Sequence, residues 1–287
     1  MTASAELEHV LTEVADGVLR ITLNRPAARN ALGWPELEQL DAALSQAAAD
    51  DITAVVIAGE GSVFCAGADL KSNPSRGSGV GAPAARLRFA QRVMLGLDRL
   101  EKPCIAAVEG PAVGIGWAIV LACDLVFASD AVTFASPFLA RGLVPDGGVV
   151  WWLTAQLGRR RAMSLMLSGE KLTARQALEL GLVTEVVPAG EAAAVALRTA
   201  AGLSAGPPDA TKLTKRLVRK AEELPLSAFL DIEWLAAALN LTGPDPAEGR
   251  AAFAEKRAPV FAGSATRQAS TESNNGQTPQ PTRTNED

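Results

Sequence analysis

Phe64-Cys65-Ala66-Gly67-Ala68-Asp69, Gly110-Pro111-Ala112-Val113-Gly114-Ile115-Gly116 and Gly142-Leu143-Val144-Pro145-Asp146-Gly147-Gly148 are the glycine-rich stretches that decide how this chain is read. The first two follow β-branched apolar runs, Ala54-Val55-Val56-Ile57 and Ile105-Ala106-Ala107-Val108, and each is expected to open a helix. A strand feeding such a turn leaves free backbone N–H groups, backed by the positive end of the helix dipole. Two turns of this kind meeting at one point would make an oxyanion hole, and the third stretch would set one carboxylate, Asp146, beside it. That combination suits enolate chemistry. The plainer reading makes the two turns tight strand–helix connections, and makes Asp146 an N-cap for the apolar run Val149-Val150-Trp151-Trp152.

At 287 residues and 48% hydrophobic content, the chain can bury a substantial core. Its formal net charge of −5 argues against nucleic acid as a partner. Cys65, Cys104 and Cys123 are odd in number and lie in apolar surroundings, so they read as reduced core residues of a cytoplasmic protein. No metal cluster or dinucleotide fingerprint appears. Met1–Glu6 lacks the pattern of a signal peptide, and the most apolar stretch, Ala112–Ala128, is interrupted by Asp124 and short for a membrane span.

The alternation in Val18–Leu23 predicts a strand, and Pro35 opens a predicted helix to about Ala49. Strand Ala54–Ala58 is followed by a Gly-, Pro- and Ser-rich surface loop over Lys71–Ala84. A helix over about Ala85–Leu100, strand Cys104–Val108, helix Gly116–Cys123, and strands at Leu125–Ala128 and Val132–Ala135 complete this part. Beyond Ala200 only helices are expected, at Pro208–Glu223, Leu226–Asn240 and Pro246–Lys256, with Pro225 and Pro244 at the breaks. The division expected is a core over 1–200, a helical segment over 201–263, and a polar, disordered tail over 264–287.

The three glycine-rich stretches resemble the crotonase superfamily, the enoyl-CoA hydratase/isomerase group, and are closest in motif to its aspartate-bearing isomerases. Leu23-Asn24-Arg25-Pro26, Asn30-Ala31-Leu32, Ala122-Cys123-Asp124, Gly158-Arg159-Arg160-Arg161-Ala162 and the stretch Ala174–Val187 carry the resemblance further, from about Val10 to about Phe261. It implies an α/β fold, a spiral of ββα units, with a C-terminal helical segment that assembles a homotrimer or hexamer. It also implies an acyl-CoA thioester substrate, so that coenzyme A enters with the substrate and no separate cofactor is needed.

The resemblance assigns the oxyanion-hole N–H groups to Ala66 and Ile115. It places the two glutamates that activate water in hydratases at Ala118 and Phe138, neither of which can transfer a proton. Asp146 falls where some family isomerases carry a proton-transferring aspartate, and Phe138, Val144 and Trp151 are expected to desolvate it. For the coenzyme A portion the resemblance suggests Arg25, the turn Ala66-Gly67-Ala68-Asp69, Lys71 and Lys256, with Asp69 ordering its own turn. Three rivals remain: a hydratase with displaced acid and base groups, for which Glu101 and Glu109 are nearest in sequence; an aryl-CoA dehalogenase-like hydrolase, for which His9 is the one available histidine; and a non-catalytic acyl-CoA binder.

Overall fold

The computed structural model describes residues 8–261. The tail expected at 264–287 and the residues before Glu8 lie outside them. Strands β1 (Val10–Ala15), β2 (Val18–Leu23) and β3 (Ala54–Gly59) precede helix α2 (Ala85–Arg99), with α1 (Trp34–Gln46) between β2 and β3. Then come β4 (Cys104–Val108), β5 (Ala112–Val113), α3 (Ile115–Ala122), β6 (Leu125–Ser129) and β7 (Thr133–Ala135). Helix α4 (Val149–Ser168), β8 (Leu172–Thr173), α5 (Ala174–Glu179), β9 (Glu185–Val187) and α6 (Ala192–Ser204) follow.

Six strands form one sheet in the order β1-β2-β3-β4-β6-β9, parallel except for β1 against β2. A second, smaller sheet runs β5-β7-β8 and is extended by isolated parallel bridges, Cys65 to Ala112 and Leu32 to Ala68. Strands β2, β3, β4 and β6 therefore each give way to a short strand or bridge of the second sheet. Repeating this step carries the chain along a spiral of α/β layers.

Both faces of the large sheet are covered, which is why its central strands read as unbroken apolar runs. Val55 and Ile57 of β3, with Cys104, Ala106 and Val108 of β4, join the core formed with α1, α2 and α3. The alternate residues Ala54, Val56, Ala58, Ile105 and Ala107 pack instead with Ala192, Ala196 and Ala200 of α6. The i, i+4 spacing of these alanines keeps one smooth face of α6 against the sheet.

The expectation that Phe64–Asp69 opens a helix is not met. The two bridges hold this stretch extended, Gly67 takes φ +94°, and the Asp69 carboxylate accepts from Lys71 N–H. No α-helix follows until α2, so the donors of this turn act without a helix dipole.

Packing separates a first unit ending at Leu203 from a second beginning at Ser204. The second holds α7 (Pro208–Glu223), α8 (Leu226–Asn240) and α9 (Asp245–Glu255), with α7 packed on α8. Leu226, Leu230, Trp234, Leu235 and Leu239 of α8 are exposed on it. Among the described residues, no helix is long and apolar enough to cross a membrane.

Candidate active site

The two glycine turns meet. A Cβ on Gly67 would lie 2.9 Å from the Val113 carbonyl oxygen and 3.9 Å from Gly114 Cα, an approach that only glycine permits, and φ +94° adds to the requirement. The first turn is pinned from behind by Asn30, buried, whose Nδ2 donates to the carbonyls of Glu60, Val63 and Phe64. Leu32 N–H donates to the Gly67 carbonyl and Asp69 N–H to that of Leu32.

This network identifies which N–H groups are free, and it corrects one expectation. Ala66 N–H donates to the Arg29 carbonyl at 2.9 Å and is not available to a substrate oxygen. Gly67 N–H is turned toward Cys65 Sγ, 3.4 Å away. Ala68 N–H has no acceptor among the described residues, and Ala68 lines the cavity. Ile115 is the first residue of α3, so its N–H has no intrahelical acceptor and finds none elsewhere among the described residues. The available donor pair is therefore Ala68 with Ile115, in place of Ala66 with Ile115. Burial pushes the Cys65 thiol up to about 12, which keeps this cysteine an inert neighbour of the turn.

A cavity of about 320 Å³ opens at this junction, lined by Ala68, Ile115, Phe138, Asp146, Arg86 and Arg141 among others. Asp146 is the acidic side chain among the lining residues. Gly147, at φ +67°, presses the Asp146 turn onto Ile115: a Cβ there would stand 2.9 Å from Ile115 Cγ1. The carboxylate is thus carried on a turn in contact with Ile115, whose N–H has no acceptor among the described residues.

Asp146 does not cap the following helix. Gly148 is the N-cap of α4, and no side chain accepts from that helix end. The Asp146 carboxylate has no hydrogen-bond or ion-pair partner among the described residues. Burial raises its pKa, and the Arg86 charge opposes that rise. Of the residues expected to desolvate it, Phe138 is buried in the cavity wall, whereas Val144 and Trp151 are exposed, 83% and 57%, and do not line the cavity. Leu143 and Ile115 line it instead.

Ala118 is fully buried and Phe138 is buried in the cavity wall, so neither position that the resemblance matched to a water-activating glutamate carries a proton-transferring side chain. Glu109 is occupied elsewhere, accepting from the N–H groups of Gly190 and Ala192 at the start of α6, and neither Glu101 nor Glu109 lines the cavity. His9 also lies outside it, with Nδ1 2.6 Å from Glu36 Oε1. Arg25 Nη1 lies 3.2 Å from the same Glu36 oxygen and donates to Asp69 Oδ2 at 2.8 Å. Arg25 is therefore no free cation, and any phosphate contact would use the rest of its guanidinium.

Asp69 orders its turn as expected, and the Arg25 hydrogen bond holds its carboxyl below the usual range. Lys71 is exposed at the end of that turn. Lys256 is the left-handed C-cap of α9, in the second unit. Arg86 was not singled out by sequence, because an arginine on an amphipathic helix reads as surface.

The family model described as Enoyl-CoA hydratase/isomerase matches residues 13–264. The chain belongs to this family. A 2,3-dehydroadipyl-CoA hydratase of Escherichia coli is 37% identical over 247 residues, covering 86% of this chain and 95% of its own. A 1,2-epoxyphenylacetyl-CoA isomerase of the same organism is 36% identical, covering 90% and 99%. The solved enoyl-CoA hydratase of Polaromonas sp. JS666 superposes with a TM-score of 0.83 at 37% identity, covering 88% of this chain and 99% of that one. The crotonase fold read from the glycine turns is thus confirmed, and so is an acyl-CoA enzyme of the hydratase/isomerase family.

Proposed function

We propose that this enzyme isomerises an enoyl-CoA, moving the double bond through a thioester enolate. The Ala68 and Ile115 N–H groups hold the thioester oxygen as negative charge develops on it. Asp146 removes a proton from one carbon of the acyl chain and returns it two carbons along. One carboxylate suffices, because the proton leaves and re-enters the same molecule.

The observation that carries this reading is Asp146 itself: uncapped, unpaired, in the cavity wall and on a turn pressed against Ile115. Hydration needs two groups around a water, and Ala118 and Phe138 supply neither. A dehalogenase-like hydrolysis would need a histidine base, and His9 is engaged with Glu36 outside the cavity. A mere binder would have no use for a desolvated carboxylate at that position. The isomerase among the relatives supports the same direction.

The test is Asp146→Asn. The variant should bind acyl-CoA and fold normally while 3-enoyl to 2-enoyl isomerisation drops by at least roughly 10². Solvent deuterium should enter the α or γ carbon with the native enzyme to the extent that the protonated Asp146 carboxyl exchanges with solvent before it returns the proton, and should not enter with the variant. Full isomerase activity in Asp146→Asn would sink the mechanism. A native enzyme that binds acyl-CoA tightly yet isomerises no 3-enoyl-CoA would favour the binder.

The substrate brings its own coenzyme A, with Arg25 and Lys71 as contact residues of the thioester's nucleotide end. The setting is the reducing cytoplasm, in keeping with three cysteines that form no disulfide. Exposed apolar residues on α4 and α8, such as Trp151, Leu167 and Trp234, are the surfaces through which copies assemble into a trimer or hexamer, checked by sedimentation.

A further inference from the structure

Arg86 is only 8% exposed, yet it lines the substrate cavity. Its Nη1 donates to the Asp69 carbonyl at 2.9 Å, to the Ser72 hydroxyl at 2.6 Å and to the Ser72 carbonyl at 3.4 Å. These acceptors are neutral. No carboxylate is hydrogen-bonded to the guanidinium, and Nε and Nη2 have no acceptor among the described residues. A buried cation is ordinarily matched by an anion. Here the protein supplies none in contact.

The local field deepens the imbalance. Arg86 is the second residue of α2, at the positive end of that helix, whose first turn carries no acidic residue. Arg141 lines the same cavity, with its Nη1 on the Pro137 carbonyl at 3.1 Å. Asp146 is the one acidic lining residue and forms no ion pair with either arginine among the described residues. Arg141 is exposed to solvent, so Arg86 is the buried cation of this wall, and no carboxylate of the described residues is in contact with it.

We infer that the acyl group carries a carboxylate at its far end, and that Arg86 reads it through the unused edge of its guanidinium. This rests on the acyl-CoA reading of the cavity. The fork of Nε–H and Nη2–H matches a carboxylate in geometry as well as charge. Reach limits the chain to short acids. Arg86 grips the carbonyl of Asp69, the residue after Ala68, which puts the guanidinium roughly 7 Å from the oxyanion donor.

The experiment is equilibrium binding of unreactive, saturated thioesters by calorimetry: succinyl-, glutaryl- and adipyl-CoA against butyryl-, valeryl- and hexanoyl-CoA. The native enzyme should bind at least one dicarboxylic thioester roughly 10²-fold more tightly than its monocarboxylic partner, as where a buried charge would otherwise stay unpaired. Arg86→Met should erase that ratio, and Arg86→Lys should retain part of it. Equal binding within every pair by the native enzyme overturns the inference and leaves the acyl-CoA reading intact, whether or not a variant folds. A preference that survives in folded Arg86→Met overturns the role of Arg86. Failure of all six thioesters to bind would overturn the acyl-CoA reading as well.

Discussion

The wall formed by Gly67, Ala68, Gly114 and Ile115 presents backbone to the substrate, whereas the wall formed by Phe138, Asp146 and Arg86 presents side chains. The first is fixed by chain geometry: two bridges, a close glycine contact and a helix start. On the proposed mechanism it accepts an isoleucine at position 115 because the N–H, not the side chain, would be the working group. The second is fixed by residue identity, and exchanging one side chain there changes what protons can be moved. A fold can thus keep its oxyanion hole while its reaction changes. The comparison makes opposite demands on mutation. Backbone donors should resist all substitutions except those that move the chain, and side-chain chemistry should fail at single atoms.

The largest effect expected concerns hydration. With Ala118 and Phe138 at the two water-activating positions, crotonyl-CoA hydration should fall at least roughly 10²-fold short of the ~10 s⁻¹ of a typical enzyme. Phe138→Glu alone should not restore it, since the water needs two partners. Hydration by the native enzyme at about 10 s⁻¹ would show that the side-chain wall does not decide the reaction.

Next is Gly67→Ala, which attacks the backbone wall. The added methyl would stand 2.9 Å from the Val113 carbonyl oxygen in a left-handed conformation, so the turn must shift and Ala68 N–H with it. Isomerase kcat should fall by roughly 10²–10³, the worth of one oxyanion donor. Ile115→Ala, which keeps the N–H, should cost far less. Equal losses in the two variants would break the distinction between the walls.

The backbone wall was largely legible in the sequence, and the side-chain wall only in part. Apolar runs ending in glycine turns marked β3 and β4, and β4 has the expected bounds of Cys104–Val108. Proline breaks likewise marked α7 and α8, over Pro208–Glu223 and Leu226–Asn240. What could not be read was which N–H in a turn is already bonded. Ala66 is satisfied by the carbonyl of Arg29, far upstream, and only the bridged geometry reveals it. Arg86 was missed for a related reason. Its burial comes from the loop at Asp69 and Ser72 folding over it, and nothing in the periodicity of α2 signals that. The Val144 and Trp151 misreading is the converse, because neighbours in sequence turned outward across a loop and a helix start.

A smaller effect should appear in the pH profile. Burial raises the Asp146 pKa and Arg86 opposes the rise. Asp146 must be ionised to accept a proton, so kcat/KM should climb with pH through a limb above the ordinary carboxylate value of about 3.9. Arg86→Met removes the opposing charge, and the limb should move further up. Stability follows the reverse sign. A carboxyl whose folded pKa exceeds its unfolded one stabilises most below the unfolded value and loses that contribution as pH rises through the folded value. Asp146→Asn should therefore melt no lower than the native enzyme at neutral pH, and a clearly lower Tm would mean that the carboxylate holds structure.

The smallest effect belongs to the support behind the backbone wall. Arg25 donates to Asp69 Oδ2 at 2.8 Å, and this bond, with that from Lys71 N–H, keeps the Asp69 carboxyl below its usual range. A depressed carboxyl contributes stability above the unfolded pKa and loses it as pH falls through the folded one. Arg25 is about a third exposed, so solvent screens the pair and its contribution is modest. Asp69→Asn keeps an oxygen for Lys71 N–H and gives up the charge, and should cost about 1 kcal/mol at neutral pH. Because the bridge from Leu32 still holds the turn, isomerase kcat should change only a fewfold. The deciding measurement is Tm against pH. The native curve should fall on acidification below the ordinary carboxylate range, and the Asp69→Asn curve should fall less. Parallel curves would mean that hydrogen-bonded backbone alone positions Ala68, with no help from the charges behind it.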